Sequence, residues 1–322
     1  MAVDLSADDR ELLARIAHRW YLDDRTQTEI AHEFGLSRPK VQRLLVRARR
    51  TGVVQIHIEA PLGVDLGLEA RLIDAFGLTD AIVSPSAADP ESQRAAVARA
   101  AAGYLERRLV DGTVVAVSHG RDIGAIPRHY RPTAPVDGIF ASAMGGSPTI
   151  DLPTNPNEIC RALAERSGGR AESLFAPAYV ESTQVRDSLH AQAAVANVLR
   201  TAAAAELALV GIGGTDDGCT MVRSGCLDVA EITRLREQGA VGDVLGNYVD
   251  LQGDLIASPH NDRLIGLTVD DLRRIPNVVA VVSGAEKPRA TLGVLRAGIV
   301  DVLIVDETNA RTVLDLAQRG DA

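Results

Sequence analysis

The sequence predicts a two-part α/β protein, with a small N-terminal helical domain followed by a larger α/β domain. Three observations carry this. Residues 5 to 50 keep helical spacing throughout, whereas beyond about residue 80 short β-branched runs alternate with longer helical ones. The available core is aliphatic, since 46% of the 322 residues are hydrophobic but only 3% are aromatic. A core of Val, Ile, Leu and Ala suits buried parallel strands flanked by Ala-rich helices, and a chain of this length exceeds the usual single domain.

The first helical run, "LLARIAHRWYL", places Leu12, Leu13, Ile16, Trp20 and Tyr21 close to helical spacing. The next segment, "TQTEIAHEFGLSRPKVQRLLVRARR" from Thr26 to Arg50, reads as a short helix, a Gly-Leu-Ser turn and a basic helix. Ile30, Ala31 and Phe34 form the apolar stripe of the first helix, and Val41, Leu44, Leu45 and Ala48 that of the second. Gly35 supplies the sharp turn. Ser37 stands where it can N-cap the second helix, and Pro39 falls in the first turn, where a missing N–H costs little. "GVVQIHIEA" (52–60) then alternates Val54, Ile56 and Ile58 in strand fashion, as a wing or first strand closing the small domain. "PLGVDLG" marks a boundary and "LEARLIDAFGL" a linking helix. The expected organisation is a helix-turn-helix domain at 1–58, a linker at 59–76 and the α/β domain at 77–322.

Within that domain "TVVAVS" (113–118), "GIFASAM" (138–144), "LALVGIG" (207–213), "NVVAVVSG" (277–284) and "IVDVLIVD" (299–306) read as buried parallel strands. "RDSLHAQAAVANVLRTAAAAE", "KPRATLGVLRAG" and "TNARTVLDLAQRG" read as helices between or after them. Several strands end in glycine or a polar residue. Open α/β sheets bind ligands at the carboxyl ends of their strands, so these ends are the first place to seek a site.

Charge separates the two parts. The net charge is −9, yet Arg38, Lys40, Arg43, Arg47, Arg49 and Arg50 follow one another without an intervening acid. A compact basic face is what phosphate contact needs, while an acidic remainder keeps the body of the chain off a duplex. A merely solvated basic helix is the plainer account of such a run. The turn, the cap position and the absence of acids favour a DNA reader instead. The apolar stripe leaves Arg38, Lys40, Gln42, Arg43 and Arg47 outside, where Arg suits guanine or phosphate and Gln suits adenine. Thr26, Gln27 and Ser37 complete the expected contact set, with phosphate oxygens as partners.

Other classes are disfavoured. No apolar run approaches the roughly 18 to 20 residues of a membrane span, and "MAVDLSADDRELL" is not a charged-then-apolar signal, so a cytoplasmic chain is expected. Cys160, Cys219 and Cys226 are an odd number without metal-ligand spacing, which argues against a disulfide framework, a zinc site or another bound cofactor.

Specific motifs sharpen the reading. "WYLDDRTQTEIAHEFGLSRPKVQRLLVRARRTGVVQIHI" resembles the N-terminal domain of the SorC family of sugar-responsive transcriptional regulators. "SHGRDI", "AMGGSP", "APAYVES", "LVGIGG", "GAVGDVLGNYVDLQG" and "SGAEKPRA" resemble its larger domain, in order and over nearly the whole chain. The resemblance implies a larger domain similar in fold to ribose-5-phosphate isomerase and glucosamine-6-phosphate deaminase. It also implies a sugar, polyol or sugar phosphate effector, an operator-DNA partner, and a homodimer or homotetramer.

The expected effector site gathers Gly120, Arg121 and Asp122 after the "VVAVS" strand, a loop that can cradle an anion. Asp122 departs from the Gly-Arg-Thr or Gly-Thr-Thr that the resemblance leads one to expect. A carboxylate repels a dianion but accepts from hydroxyls, which favours an unphosphorylated sugar or polyol; N-capping of the following helix is the alternative role for Asp122. Arg121 or Arg223 can still hold a phosphate elsewhere. Lys287 is one of only two lysines in an arginine-rich chain, which points to a place for a compact ammonium, and the resemblance puts it on the effector with Asp243 as partner. Gly145, Gly146 and Gly213 are expected to allow close backbone approach. N-capping is at least as good a reading of Asp306 and Glu307 as ligand contact. An enzyme with a DNA-binding appendage is the rival reading, but Asp122, Asp243, His119 and His260 show no catalytic spacing. A ligand-independent DNA binder is the second rival.

Overall fold

A computed structural model describes residues 6–55, 65–147 and 154–320, without the side chain of Ala7. The chain divides into two compact units, Met1–Ala60 and Pro61–Ala322.

The small unit is built from α1 (Ala7–Tyr21), α2 (Gln27–Glu33) and α3 (Arg38–Arg50). Its core is aliphatic, with Leu13 and Ile16 of α1 meeting Ile30 of α2 and Val41, Leu45 and Ala48 of α3. Gly35 adopts φ +63, a conformation that a β-carbon disfavours, and so makes the expected turn. Ser37 has the extended backbone of an N-cap, but its hydroxyl makes no cap bond, contrary to expectation. The reason is local: Pro39 offers no N–H, and the Lys40 N–H is already bonded to the Ser37 carbonyl at 2.9 Å. The expected strand over 52–60 is absent from the described residues 52–55, and 56–64 lie outside them.

The larger unit opens with α4 (Leu66–Phe76), which the sequence assigned to a linker. Its Leu68 and Leu72 instead lie in the core of this unit, because the helix carries an apolar stripe that requires a partner. There follow β1 (Asp80–Ser84), α5 (Pro90–Arg108), β2 (Val114–Val117), α6 (Arg121–Ala125), β3 (Ile139–Ser142), α7 (Pro156–Ser167) and β4 (Arg170–Glu172). Next come α8 (Thr183–His190), α9 (Ala193–Ala203), β5 (Leu207–Gly211), β6 (Gly213–Gly214), α10 (Thr220–Arg223), α11 (Val229–Glu237), β7 (Gly242–Val244) and β8 (Asn247–Val249). The chain closes with α12 (Val269–Leu272), β9 (Val278–Val282), α13 (Pro288–Arg296), β10 (Val302–Asp306) and α14 (Glu307–Arg319).

Seven strands form one parallel sheet in the order β1-β10-β9-β5-β2-β3-β4. Both faces are covered, and the side-chain alternation shows it: Val278, Ala280 and Val282 of β9 enter one core, Val279 and Val281 the other. The five strands expected from sequence are all present. A second, antiparallel sheet of β6, β7 and β8 was not expected, and its register sets Gly213 opposite Asp243.

Candidate effector cleft and nucleic-acid interface

The C-terminal ends of β2, β5 and β9 converge with the small sheet on a narrow, partly open cleft. Gly120, Arg121, Asp122, Gly213, Asp243 and Lys287 line it together.

Asp243 projects from β7 and is buried to 2% exposure. Its Oδ2 accepts from the Gly246 N–H at 2.9 Å. The carboxylate lies directly over Gly213, where any β-carbon would collide with it, so Gly213 makes room for Asp243. Burial pushes the Asp243 carboxyl up to about 6, against the lowering effects of the Gly246 N–H and the Lys287 charge. Lys287 precedes α13 and is equally enclosed, at 5% exposure, with Nζ donating to the Ile212 carbonyl at 3.1 Å.

Asp122 lies in the first turn of α6 and does not cap it. Its Oδ1 accepts from the Ser283 hydroxyl at 2.6 Å and its Oδ2 from the Ser283 N–H at 3.2 Å, tying the end of β2 to the end of β9. The Arg94 Nε, from α5, lies 3.4 Å from Oδ1. Burial raises the Asp122 carboxyl, and the Ser283 hydroxyl, Lys287 and Arg94 oppose it. His119 is driven down to about 4 by burial and is therefore neutral near pH 7; its Nδ1 is buried without a partner. Asp306 caps α14 by accepting from the Asn309 N–H, and its other oxygen accepts from the Gly284 N–H, both at 2.9 Å.

Three expected residues stand apart from this cleft. The Gly145 N–H donates to the Ile265 carbonyl, Gly146 is bonded through its backbone to Ala176 and Ala178, and a β-carbon on Gly145 would strike the Pro177 backbone, so the small size of Gly145 serves chain packing. Arg223 is exposed at the end of α10 and does not line the cleft. Conversely Arg94, His119, Thr220 and Ser283 line it without having been singled out for the effector. Ser283 was findable, because it sits in the "SGAEKPRA" motif. Arg94, mid-helix and far away in sequence, carried no signal.

On the small unit, Arg38, Lys40, Gln42 and Arg43 are exposed along α3, as are Arg49 and Arg50 at its end. Arg15, Arg19 and Arg25 each sit against a carboxylate, whereas these five cations of α3 have no ion-pair partner among the described residues. Arg47 differs: its guanidinium meets Asp9 of α1 at 3.0 Å. The Thr26 hydroxyl is likewise committed, to a capping box with Glu29, and Gln27 is half-buried as the first residue of α2. Among the described residues no helix is long and apolar enough to cross a membrane, and no group of His, Cys, Asp and Glu is placed to hold a metal.

Residues 61–315 match the family described as "Putative sugar-binding domain". The chain is 30% identical over 312 residues to the erythritol catabolism regulatory protein EryD of Brucella abortus, covering 96% of this chain and 97% of that protein. It is 31% identical to the transcriptional regulator LsrR of an Enterobacter species, covering 97% and 95%. The crystal structure of the full-length sorbitol operon regulator SorC from Klebsiella pneumoniae is similar at a TM-score of 0.74 and 25% identity, covering 96% of this chain and 100% of that one. An α/β sugar-binding domain in a chain that aligns along its length with such proteins defines a class, that of sugar-responsive transcriptional regulators. Within that class the chain belongs to the SorC family.

Proposed function

We propose that the protein regulates a carbohydrate-catabolic operon from the cytoplasm, and that its effector is an uncharged polyol or sugar. Residues 1–58 would act as a helix-turn-helix domain reading operator DNA, with Arg38, Lys40, Gln42 and Arg43 in the major groove and the half-sites of an oligomer reading a pseudo-palindrome. The observation that carries the effector reading is the pair of carboxylates, Asp243 buried and Asp122 partly exposed, in a cleft whose ammonium, Lys287, is itself enclosed. Carboxylates accept from hydroxyls and repel a phosphate dianion. The name of EryD refers to erythritol, a four-carbon polyol, which makes erythritol the first compound to test. The same reading carries the kinship with ribose-5-phosphate isomerase and glucosamine-6-phosphate deaminase that the resemblance implies, as a scaffold for polyhydroxy ligands and not as a source of turnover.

The test is a thermal-shift panel of pentoses, hexoses, polyols and their phosphates, followed by operator binding with and without each hit. A ligand confined to the folded state must raise the melting temperature. Lys287→Ala should abolish the effector response and leave operator binding intact; a variant that still responds would misplace the site. If no compound shifts melting or operator affinity, the ligand-independent reading replaces this one. Light scattering should find a dimer or tetramer.

A further inference from the structure

We infer that Asp306 is a positioning residue for the effector cleft: it lies outside the lining and holds the turn that presents Ser283 and Lys287 to it. Asp306 ends β10, whose register sets Val305 beside Val282 and so brings Asp306 alongside the end of β9. The side chain is buried to 1% exposure. One carboxylate oxygen accepts from the Asn309 N–H in the first turn of α14 and the other from the Gly284 N–H, each at 2.9 Å. A buried carboxylate is tolerated only where such donors replace water, and the N-terminal end of a helix adds a favourable field.

The bond to Gly284 is the one with consequences for the cleft. Gly284 has φ +119, a conformation that only glycine adopts readily, and it turns the chain from β9 towards α13. Cleft groups stand on both sides of it. Ser283, one residue earlier, gives its hydroxyl and its N–H to the Asp122 carboxylate. Lys287, three residues later, donates its backbone N–H to the Gly284 carbonyl at 3.2 Å and its Nζ to the Ile212 carbonyl at 3.1 Å. Hydrogen bonds thus run from Asp306 through the Gly284 peptide groups to Lys287, and the carboxylate fixes where both the Asp122 clamp and the ammonium stand. A single hydroxyl would suffice to cap α14. Two donors from separate elements call for the two acceptor oxygens of a carboxylate. A binding group loses its geometry when its support is loosened by as little as about 1 Å.

Two variants separate the cap from the tether. Asp306→Ser keeps a hydroxyl that can cap α14 but offers no second acceptor to Gly284, whereas Asp306→Ala removes both bonds. The chain has only two lysines, Lys287 enclosed and Lys40 exposed on the small unit. Competitive labelling of the full chain with an amine-acylating reagent, read by peptide mass spectrometry, therefore reports the turn against an internal reference. Both variants should raise the labelling of Lys287 relative to Lys40 by about tenfold, at a temperature where melting curves show each folded. Calorimetry should find erythritol binding weakened by about tenfold in both. Asp306→Ser is decisive by itself should the alanine variant fail to fold. Labelling of Lys287 as slow in Asp306→Ser as in wild type would reduce Asp306 to a helix cap and overturn the inference. Faster labelling with unchanged erythritol affinity would overturn it equally, since the tether would then do nothing for the cleft. The erythritol measurement rests on the polyol reading, and the labelling does not: if wild type fails to bind erythritol, that reading falls alone, and the ratio of Lys287 to Lys40 labelling still decides for or against the tether.

Discussion

Asp243 is the residue at which burial and function meet most directly. Its ordinary value is 3.8 and burial raises it to about 6, so between these values the folded chain holds a proton that the unfolded chain has released. The associated stability is complete below 3.8 and is lost as pH rises through about 6. A shift of that size corresponds to a loss of about 3 kcal/mol. Asp243→Asn keeps an acceptor for the Gly246 N–H but has no charge to bury. Urea unfolding at pH 4 and pH 7 should therefore show the variant gaining on wild type by about 2 kcal/mol between the two; a constant difference would refute the burial account. The proposed effector supplies a reason for retaining the acid. Hydroxyls donating to the carboxylate favour its charged form, so erythritol affinity should rise from pH 5 to pH 7 in wild type and stay level in Asp243→Asn.

Among the elements, α3 divides its cations between two roles that sequence alone does not separate. Arg43 is exposed and unpaired, so Arg43→Ala should cost about 1 to 3 kcal/mol of operator affinity and relax sequence preference. Arg47 is tied to Asp9, so Arg47→Ala should instead lower the stability of the small unit, by about 1 kcal/mol or less for so exposed a pair, with unchanged sequence preference. Operator binding to base-substituted duplexes distinguishes the two. The caps reverse the sequence expectation in the same way. Thr26 holds a full capping box and Ser37 makes no cap bond, so Thr26→Ala should destabilise the unit by about 1 kcal/mol in a melt, while Ser37→Ala should leave it unchanged. Periodicity made the helices and their stripes legible. Which polar side chain closes a cap depends on whether Pro39 leaves an N–H free, and which arginine meets Asp9 depends on the packing of α1, so neither is visible in a linear pattern.

At the scale of the whole molecule, legibility follows the strength of local signals. The five central strands are apolar runs buried on both faces and were evident in sequence. The edge strand β4, "RAE", has no β-branched residue, and β1 has only Ala81, Ile82 and Val83 between polar ends. The glycine-rich β6 and β7 read as motif and not as sheet, although they bring Asp243 over Gly213. The cleft was thus predicted from the strand ends, while the helix-borne Arg94 waited for the tertiary structure. The proposed regulator also makes a demand on the entire chain that neither unit meets alone. If bound effector changes operator affinity by some factor, bound operator must change effector affinity by the same factor, because both legs of the cycle connect the same states. A tenfold effect on operator binding corresponds to about 1.4 kcal/mol of coupling, within the usual range of such regulators. Titration of erythritol into the free protein and into the protein saturated with operator duplex should return two affinities in that same ratio. In Lys287→Ala the ratio should be lost together with effector binding. Equal erythritol affinities in wild type, alongside a measured effect of erythritol on operator binding, would violate the cycle and show that the two ligands are not acting on one equilibrium of the folded chain.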